Sequence, residues 1–156
     1  MQGIPSHPGF GPVVRGVLSR DERTVVGLIP GKLLTVDLET HTASGTPDQR
    51  MLYGASAVNC VDLSPDGRQI AVTGFLGRRA RLYQVADVNG GHVSLGDAPD
   101  YDTAVAFHPD GRRLFVGNED GRVRVFDVNT RAELTAESWR AQSGGVTALA
   151  VSGDGK

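Results

Sequence analysis

Residues Thr103–Leu134 read TAVAFHPDGRRLFVGNEDGRVRVFDVNTRAEL, and this segment shows the pattern on which the chain is built. It contains three short apolar runs, Ala104–Phe107, Leu114–Gly117 and Val123–Val128. The turn residues Pro109-Asp110-Gly111 separate the first two runs, and Asp120-Gly121 separates the last two. Proline presets one turn torsion and glycine accepts a positive φ, so both insertions reverse an extended chain. The segment therefore predicts an antiparallel meander of β-strands.

The same pattern recurs along the chain at a nearly constant spacing. Asp110 follows Asp66 by 44 residues, and Asp154 follows Asp110 by 44 again. Each aspartate precedes a glycine, namely Gly67, Gly111 and Gly155. We expect these aspartates to bond to the backbone of their turns. Four strands per unit at a period of about 40–45 residues indicate propeller blades. The prediction is an all-β chain of about three four-stranded antiparallel blades plus the first strand of a fourth, in an incomplete ring.

The repeat also predicts where the blades begin and end. Residues 1–12 contain three prolines and three glycines without periodicity, which predicts a disordered lead-in or linker. The partial propeller follows over residues 13–156, with blades at about 13–56, 57–101 and 102–141 and the start of the next at 145–156. We expect the first strands, Val58–Leu63, Ala104–Phe107 and Val146–Val151, to lie innermost at a central channel. Fourth strands are predicted at Met51–Tyr53, His92–Leu95 and Ala132–Trp139.

These repeats resemble the WD-repeat family of β-propellers, whose unit ends its third strand with Trp-Asp. The corresponding positions here are Phe126-Asp127, Tyr83-Gln84 and Val36-Asp37, so the aromatic residue and the aspartate each occur twice. The Gly-His that opens the family's unit is replaced by Ala141-Gln142 before the fourth pass. The resemblance is to degenerate repeats, and it implies a non-catalytic scaffold that presents loops to protein or peptide partners.

The parent protein is expected to be larger than this chain. Only Lys32 and Lys156 of the 16 basic residues are lysines, which indicates a GC-rich bacterial genome. In such bacteria, WD-like arrays are often part of larger signalling or regulatory proteins. A propeller closes with about four to eight blades. The chain is therefore expected to be a fragment whose ring is completed by further blades in the parent chain or by self-association.

Composition excludes several kinds of partner and site. The net charge of −2 creates no field that would attract nucleic acid or an anionic membrane. Cys60 is the only cysteine, so no intrachain disulfide can form, and its apolar run predicts a buried residue. The chain shows neither a signal peptide nor an apolar run of about 18 residues, which predicts a cytoplasmic protein.

No catalytic, metal-binding or cofactor-binding residues are predicted. The four histidines, His7, His41, His92 and His108, do not show metal-ligand spacing. We expect His108 to cap its turn. The alternative function is a propeller-based enzyme of hydrolase or lactonase type, with a metal at the central channel. That enzyme needs carboxylates that converge from several first strands, and those strands offer only Asp62 and Asn59.

Partner contacts are predicted in the loops before the first strands and in the turns between second and third strands. The candidate residues are Ser56, Asp102, Glu119, Asp120 and Ser143. Several arginines lie beside turns or at outward strand positions, namely Arg78, Arg79, Arg81, Arg112, Arg113, Arg122 and Arg124. We expect them to form a solvated face, with a patch for an acidic protein partner as the alternative.

Overall fold

The computed structural model describes residues 15–29, 32–45, 58–74, 79–97 and 101–155, which form three four-stranded sheets. The first sheet contains β1 (Arg15–Leu18), β2 (Thr24–Ile29), β3 (Lys32–Asp37) and β4 (Thr42–Gly45). The second contains β5 (Val58–Leu63), β6 (Gln69–Gly74), β7 (Arg81–Gln84) and β8 (Val93–Ser94). The third contains β9 (Asp102–Phe107), β10 (Arg113–Asn118), β11 (Arg122–Asp127) and β12 (Trp139–Arg140). Strands that follow one another pair antiparallel, which confirms the predicted class of propeller blades in an unclosed ring.

One turn is repeated after the first strand of every pass. The Ser19, Ser64 and Ser152 hydroxyls each donate to the aspartate two residues later, at 2.5, 2.6 and 2.7 Å. In the third pass His108 takes the place of serine, and its Nδ1 accepts a hydrogen bond from the Asp110 backbone N–H at 3.1 Å. Gly67, Gly111 and Gly155 close three of these turns with φ near +70°, a conformation that a side chain disfavours, and Glu22 closes the first turn with a φ of 58°. We call this side of the sheets the lower edge.

The sheets pack face to face through two apolar clusters. Between the first and second sheets the buried residues include Val26, Leu28, Leu33, Ile70, Val72 and Tyr83. Between the second and third sheets they include Ala71, Leu82, Leu95, Val105, Leu114, Val116 and Phe126. Ile70 and Ala71 belong to different clusters because successive strand residues point to opposite faces. The second sheet is therefore covered on both of its faces. The first and third sheets are each covered by another described sheet on one face only.

The outer strands differ from their predicted positions. A strand over Ala132–Trp139 was expected, but the strand that pairs with β11 is Trp139–Arg140. Glu133 forms an isolated bridge with Phe126, and a 3₁₀ helix over Thr135–Glu137 lies between the two. The prediction is wrong over Thr135–Glu137, because the Glu137 and Ser138 N–H groups donate to the Leu134 and Thr135 carbonyls and so form a helical turn instead of bonding to β11. In the first sheet the fourth strand is β4, and the expected strand at 51–53 lies outside the described residues.

Residues 145–155 run along the third sheet without forming a strand of their own. A strand was expected at Val146–Val151, but none of the described strands pairs with it. In each of the three sheets the first strand pairs with the second, and the described residues after Val151 contain no second strand. The Val146 N–H donates to the Asn118 carbonyl at 2.9 Å, and its side chain packs on Ala104 and Val123. The described part of the chain contains no helix long and apolar enough to cross a membrane.

Candidate functional site

Three segments meet at the end of the third sheet opposite to the lower edge, and we call this region the upper edge. It consists of residues 101–102, 118–122 and 140–145. The Glu119 N–H donates to the Tyr101 carbonyl at 2.9 Å, and the Ala141 N–H donates to the Gly121 carbonyl at 2.8 Å. Backbone hydrogen bonds thus join segments that lie about 20 residues apart along the chain.

Side-chain and backbone hydrogen bonds fix the β10–β11 turn at the centre of the upper edge. The Arg122 N–H donates to both the Asn118 Oδ1 and the Asp120 Oδ1, each at 3.0 Å. The Arg140 guanidinium donates to the Asp120 carbonyl at 2.9 Å. Gly121 has a φ of +86°, and a Cβ at this position would lie 2.1 Å from the Gln142 carbonyl oxygen. The turn therefore has little freedom to change its conformation.

Three of the predicted contact residues come together at this edge. Glu119 and Ser143 are exposed, and Asp120 is half-buried between them and β11. The 119 and 143–145 loops are in contact, because a Cβ on Gly145 would lie 3.2 Å from the Glu119 Cα. Ser56 lies outside the described residues. The contact role of these residues stays a prediction.

Asp102 occupies a different place from the exposed loop that the sequence suggested. It is the first residue of β9 and is only 2% exposed, so its side chain faces the interior. Its Oδ1 accepts a hydrogen bond from the Arg124 Nη2 at 2.5 Å, and its Oδ2 accepts one from the Ala80 N–H at 2.6 Å. Burial raises the pKa of the Asp102 carboxyl, and the Arg124 charge opposes that shift. Asp102 joins the third sheet to the second.

The expectation that Arg124 belongs to a solvated face is wrong. Its side chain is 7% exposed, and its guanidinium lies 5.2 Å from the centre of the Phe126 ring. The face of β11 that carries Arg124 packs against the second sheet, and a Cβ on Gly96 would lie 2.9 Å from the Arg124 Nη1. The arginine is retained there because Asp102 supplies a buried counter-charge.

A groove of about 640 Å³ lies beside the upper edge. Its wall includes Arg122, Glu133, Trp139 and Arg140. The Arg122 side chain is largely exposed, although its Nε lies 3.3 Å from the Asp120 carboxylate. The groove thus combines charges of both signs with one large aromatic surface.

A second cavity, of about 370 Å³, lies where the first strands of the four passes face one another. It corresponds to the predicted channel, and Asp62 contributes a carboxylate to its wall. The Asp62 Oδ2 accepts a hydrogen bond from the Phe107 N–H at 2.7 Å, and its Oδ1 accepts one from the Leu63 N–H at 2.8 Å. Burial raises the pKa of this carboxyl, and these two hydrogen bonds oppose the shift. Asp62 therefore bonds β5 to β9.

The channel wall shows no metal centre in the part of the chain that is described. No three His, Cys, Asp or Glu side chains lie close enough there to hold a metal ion. The Cys60 thiol packs against the core and donates to the Val105 carbonyl at 3.5 Å. The Asn59 side chain lies outside the described part of the molecule.

Comparison with known families and relatives agrees with the geometry. Residues 47–84 and 98–127 match the family model described as WD domain, G-beta repeat. The chain is 32% identical over 89 residues to the target of rapamycin complex subunit LST8 of Rattus norvegicus. The aligned residues cover 56% of the chain and 27% of that protein. It is 33% identical over 78 residues to the guanine nucleotide-binding protein subunit beta-1 of Nicotiana tabacum. Here the aligned residues cover 49% of the chain and 20% of that protein. The chain thus spans about a quarter of these relatives.

Solved structures show the same fold at lower sequence identity. The β-propeller domain of Myceliophteria thermophila Cps50 (Swd1) superposes with a TM-score of 0.74 at 19% identity, covering 92% of the chain and 48% of that domain. The structure of U3-55K superposes with a TM-score of 0.69 at 18% identity, covering 85% of the chain and 40% of that structure.

Proposed function

We propose that this chain, in which residues 47–84 and 98–127 match the WD-repeat family model, is a non-catalytic interaction module whose upper edge binds protein or peptide partners. The observation that carries the proposal is the upper edge itself. Backbone bonds hold three distant segments there in one conformation, while Glu119 and Ser143 stay exposed. Rigid loops at the end of a sheet are a common place for binding residues.

The relatives support a role in assembly. Both are described as subunits, one of the target of rapamycin complex and one of a guanine nucleotide-binding protein. We propose by analogy that the chain belongs to a larger bacterial signalling or regulatory protein and acts in the cytoplasm.

The chemistry of the upper edge favours polar recognition. The edge presents three exposed polar groups, the Glu119 carboxylate, the Arg122 guanidinium and the Ser143 hydroxyl. Such groups bind a partner through directed hydrogen bonds and charge complementarity, which determine specificity and association rate more than affinity. We therefore expect the partner to offer both donors and acceptors rather than an apolar helix.

Affinity purification with quantitative mass spectrometry tests this role. The Glu119→Arg/Ser143→Arg double variant changes the charge and size of two exposed side chains, and it should lose partners at least about tenfold relative to the unmodified chain. Arg112→Glu changes an exposed residue near the lower edge and serves as the control, which should retain the same partners. Equal capture by all three proteins, with unchanged melting temperatures, would show that the upper edge is not the binding surface.

The alternative enzyme function requires a different result. A hydrolase or lactonase with a channel metal needs several converging carboxylates, and the described wall of the channel contributes Asp62, whose oxygens already accept two backbone hydrogen bonds. Elemental analysis of the purified protein by mass spectrometry distinguishes the two functions. Calcium or zinc at one ion per chain, retained through gel filtration, would favour the enzyme.

A further inference from the structure

The outer face of the first sheet is apolar and is not covered by any sheet in the described part of the chain. Strand pairing places its side chains in two rows across the four strands. One row is Leu18, Val25, Val36 and Ala43, and the other is Gly16, Gly27, Leu34 and Gly45. Three glycines in the second row leave a shallow trough. The exposure of Leu18, at 49%, shows that part of this apolar face is open to solvent.

The third sheet has an apolar outer face of the opposite relief. Phe115, Val123 and Trp139 lie on it, and the Trp139 ring packs edge-on against Phe115 at 6.1 Å between ring centres. Trp139 is 48% exposed. A cavity of about 240 Å³ separates this face from residues 149–155. One end of the array thus presents bulky aromatic rings, and the other presents a glycine-lined trough that could receive them.

Residues 146–152 are a further copy of β1. Ser152 donates to Asp154 as Ser19 donates to Asp21, so Val151 corresponds to Leu18. Among the described residues, no backbone hydrogen bond involves Thr147–Val151. An extended segment with free backbone groups is a template for another strand. β1 pairs with β2 along its whole length, but three of its four residues are exposed, so its exchange for another strand exposes little buried surface.

We propose that two copies of this chain associate head to tail. The outer face of the third sheet of one copy binds the outer face of the first sheet of the other. Residues 146–152 of the first copy then pair with β2 of the second copy and replace its β1. The occupant is a second copy because the complementary face and the matching strand both exist on this same chain.

The size of the chain agrees with this arrangement. Two copies of the three described sheets supply six sheets. Six sheets lie within the range of about four to eight blades that close a propeller. A head-to-tail interface closes into a ring when the rotation between units is right, and propeller sheets share one rotation axis. The proposal is independent of partner binding at the upper edge, which neither outer face includes.

Sedimentation velocity at micromolar concentration tests the association. The chain should sediment with about twice its 16.5 kDa mass. Trp139→Glu and Leu34→Glu should each give a monomer, because each places a charge in one of the two apolar faces. Ala136→Glu changes an exposed residue of the 3₁₀ helix and should leave the dimer intact.

Mixing the two monomeric variants gives the most specific result. The Trp139→Glu copy retains an intact first sheet, and the Leu34→Glu copy retains an intact third sheet. An equal mixture should therefore form a heterodimer, which an interface between identical faces would not allow. If either variant loses its β-sheet circular dichroism spectrum, Trp139→Ala and Ala43→Glu replace them at exposed positions.

A disulfide tests the register. β1 pairs Leu18 with Val25, so the replacement places Val151 of one copy opposite Val25 of the other. In a Cys60→Ala background, Val25→Cys/Val151→Cys should form a covalent dimer on a non-reducing gel, and Val25→Cys/Ala148→Cys should not. Four results would each overturn the proposal. The unmodified chain could sediment as a monomer, or both glutamate variants could remain dimers. The mixture of the two variants could stay monomeric, or the two cysteine pairs could cross-link equally.

Discussion

Replacement of Asp102 with alanine tests whether the buried ion pair holds the third sheet against the second. The Asp102 carboxylate accepts hydrogen bonds from the Arg124 guanidinium in its own sheet and from the Ala80 N–H beside the second sheet. Alanine removes both acceptors and leaves the largely buried Arg124 guanidinium with only the more distant Glu133 carboxylate, at 4.0 Å, as a counter-charge. We expect Asp102→Ala to be among the most destabilising single changes in the chain.

The magnitude follows from burial. The side chains of Asp102 and Arg124 are 0% and 7% exposed. Removal of one partner of a buried pair costs about 3–5 kcal/mol in free energy of unfolding. We expect Asp102→Ala to fall near the lower end of this range, because Glu133 lies 4.0 Å from the Arg124 guanidinium and partly compensates its charge. A small domain is stable by about 5–15 kcal/mol, so this loss is a large part of the total. The Asp102→Ala/Arg124→Leu double variant removes both charges and should recover at least about 2 kcal/mol.

Urea unfolding followed by the fluorescence of Trp139, the only tryptophan, provides the assay. All variants are compared at one protein concentration, since association contributes to measured stability. The matched control is Asp97→Ala, which removes an ion pair with Arg79. Because the Asp97 side chain is 96% exposed, this change should lower the free energy of unfolding by less than about 1 kcal/mol. The reasoning is refuted if Asp102→Ala costs no more than this control, or if the double variant is no more stable than Asp102→Ala.

Two further changes test the turns at the lower and upper edges. Burial raises the pKa of Asp110, but the hydrogen bonds in its turn outweigh burial and lower the pKa to about 2. The stability that the ionised Asp110 contributes is therefore present above about pH 4 and is lost as the pH falls towards 2. Asp110→Asn should therefore lower the free energy of unfolding by about 1–2 kcal/mol at pH 7, a range that allows for a side chain that is one-third exposed. The difference between the variant and the unmodified chain should shrink towards pH 2. Urea unfolding measures both values, and an equal cost at pH 7 and pH 2 would contradict this prediction. Gly121→Ala should lower the free energy of unfolding by more than about 2 kcal/mol in thermal melts, because its Cβ would clash with the Gln142 carbonyl. The control Gly153→Ala has open space around its Cβ and should change stability by no more than about 0.5 kcal/mol. Similar melting curves for both variants would be evidence against a rigid upper edge.

The sequence predicted the three sheets because the features that set them are local. Each Ser-x-Asp or His-x-Asp turn is built from residues within five positions of one another, and the spacing of these turns fixes the period. The outermost strands were predicted less well. β12 is two residues long and pairs on one side only, so its position depends on the 3₁₀ helix before it rather than on an apolar pattern.

The Asp102–Arg124 pair could not be predicted from local alternation. Arg122 and Arg124 alternate with Val123 and Val125, and such a pattern ordinarily indicates one wet face. In a stack of sheets that face packs against a neighbour, so the position of Arg124 is decided by a carboxylate 22 residues earlier in the chain. An arginine on an inner strand face together with an aspartate at the start of the first strand is the combination that could have indicated a buried pair.

The distribution of polar residues over the sheets supports closure of the ring. Arrays of repeats that end in solvent carry terminal units with polar outer faces. Here the outer row of the first sheet contains Leu18, Val25, Val36 and Ala43, and the outer face of the third sheet carries Phe115 and Trp139. The charged side chains are concentrated instead at the upper and lower edges, which face solvent in a ring as well as in an open array. Both end sheets therefore have the composition of interior blades, which are stable only when another sheet covers them.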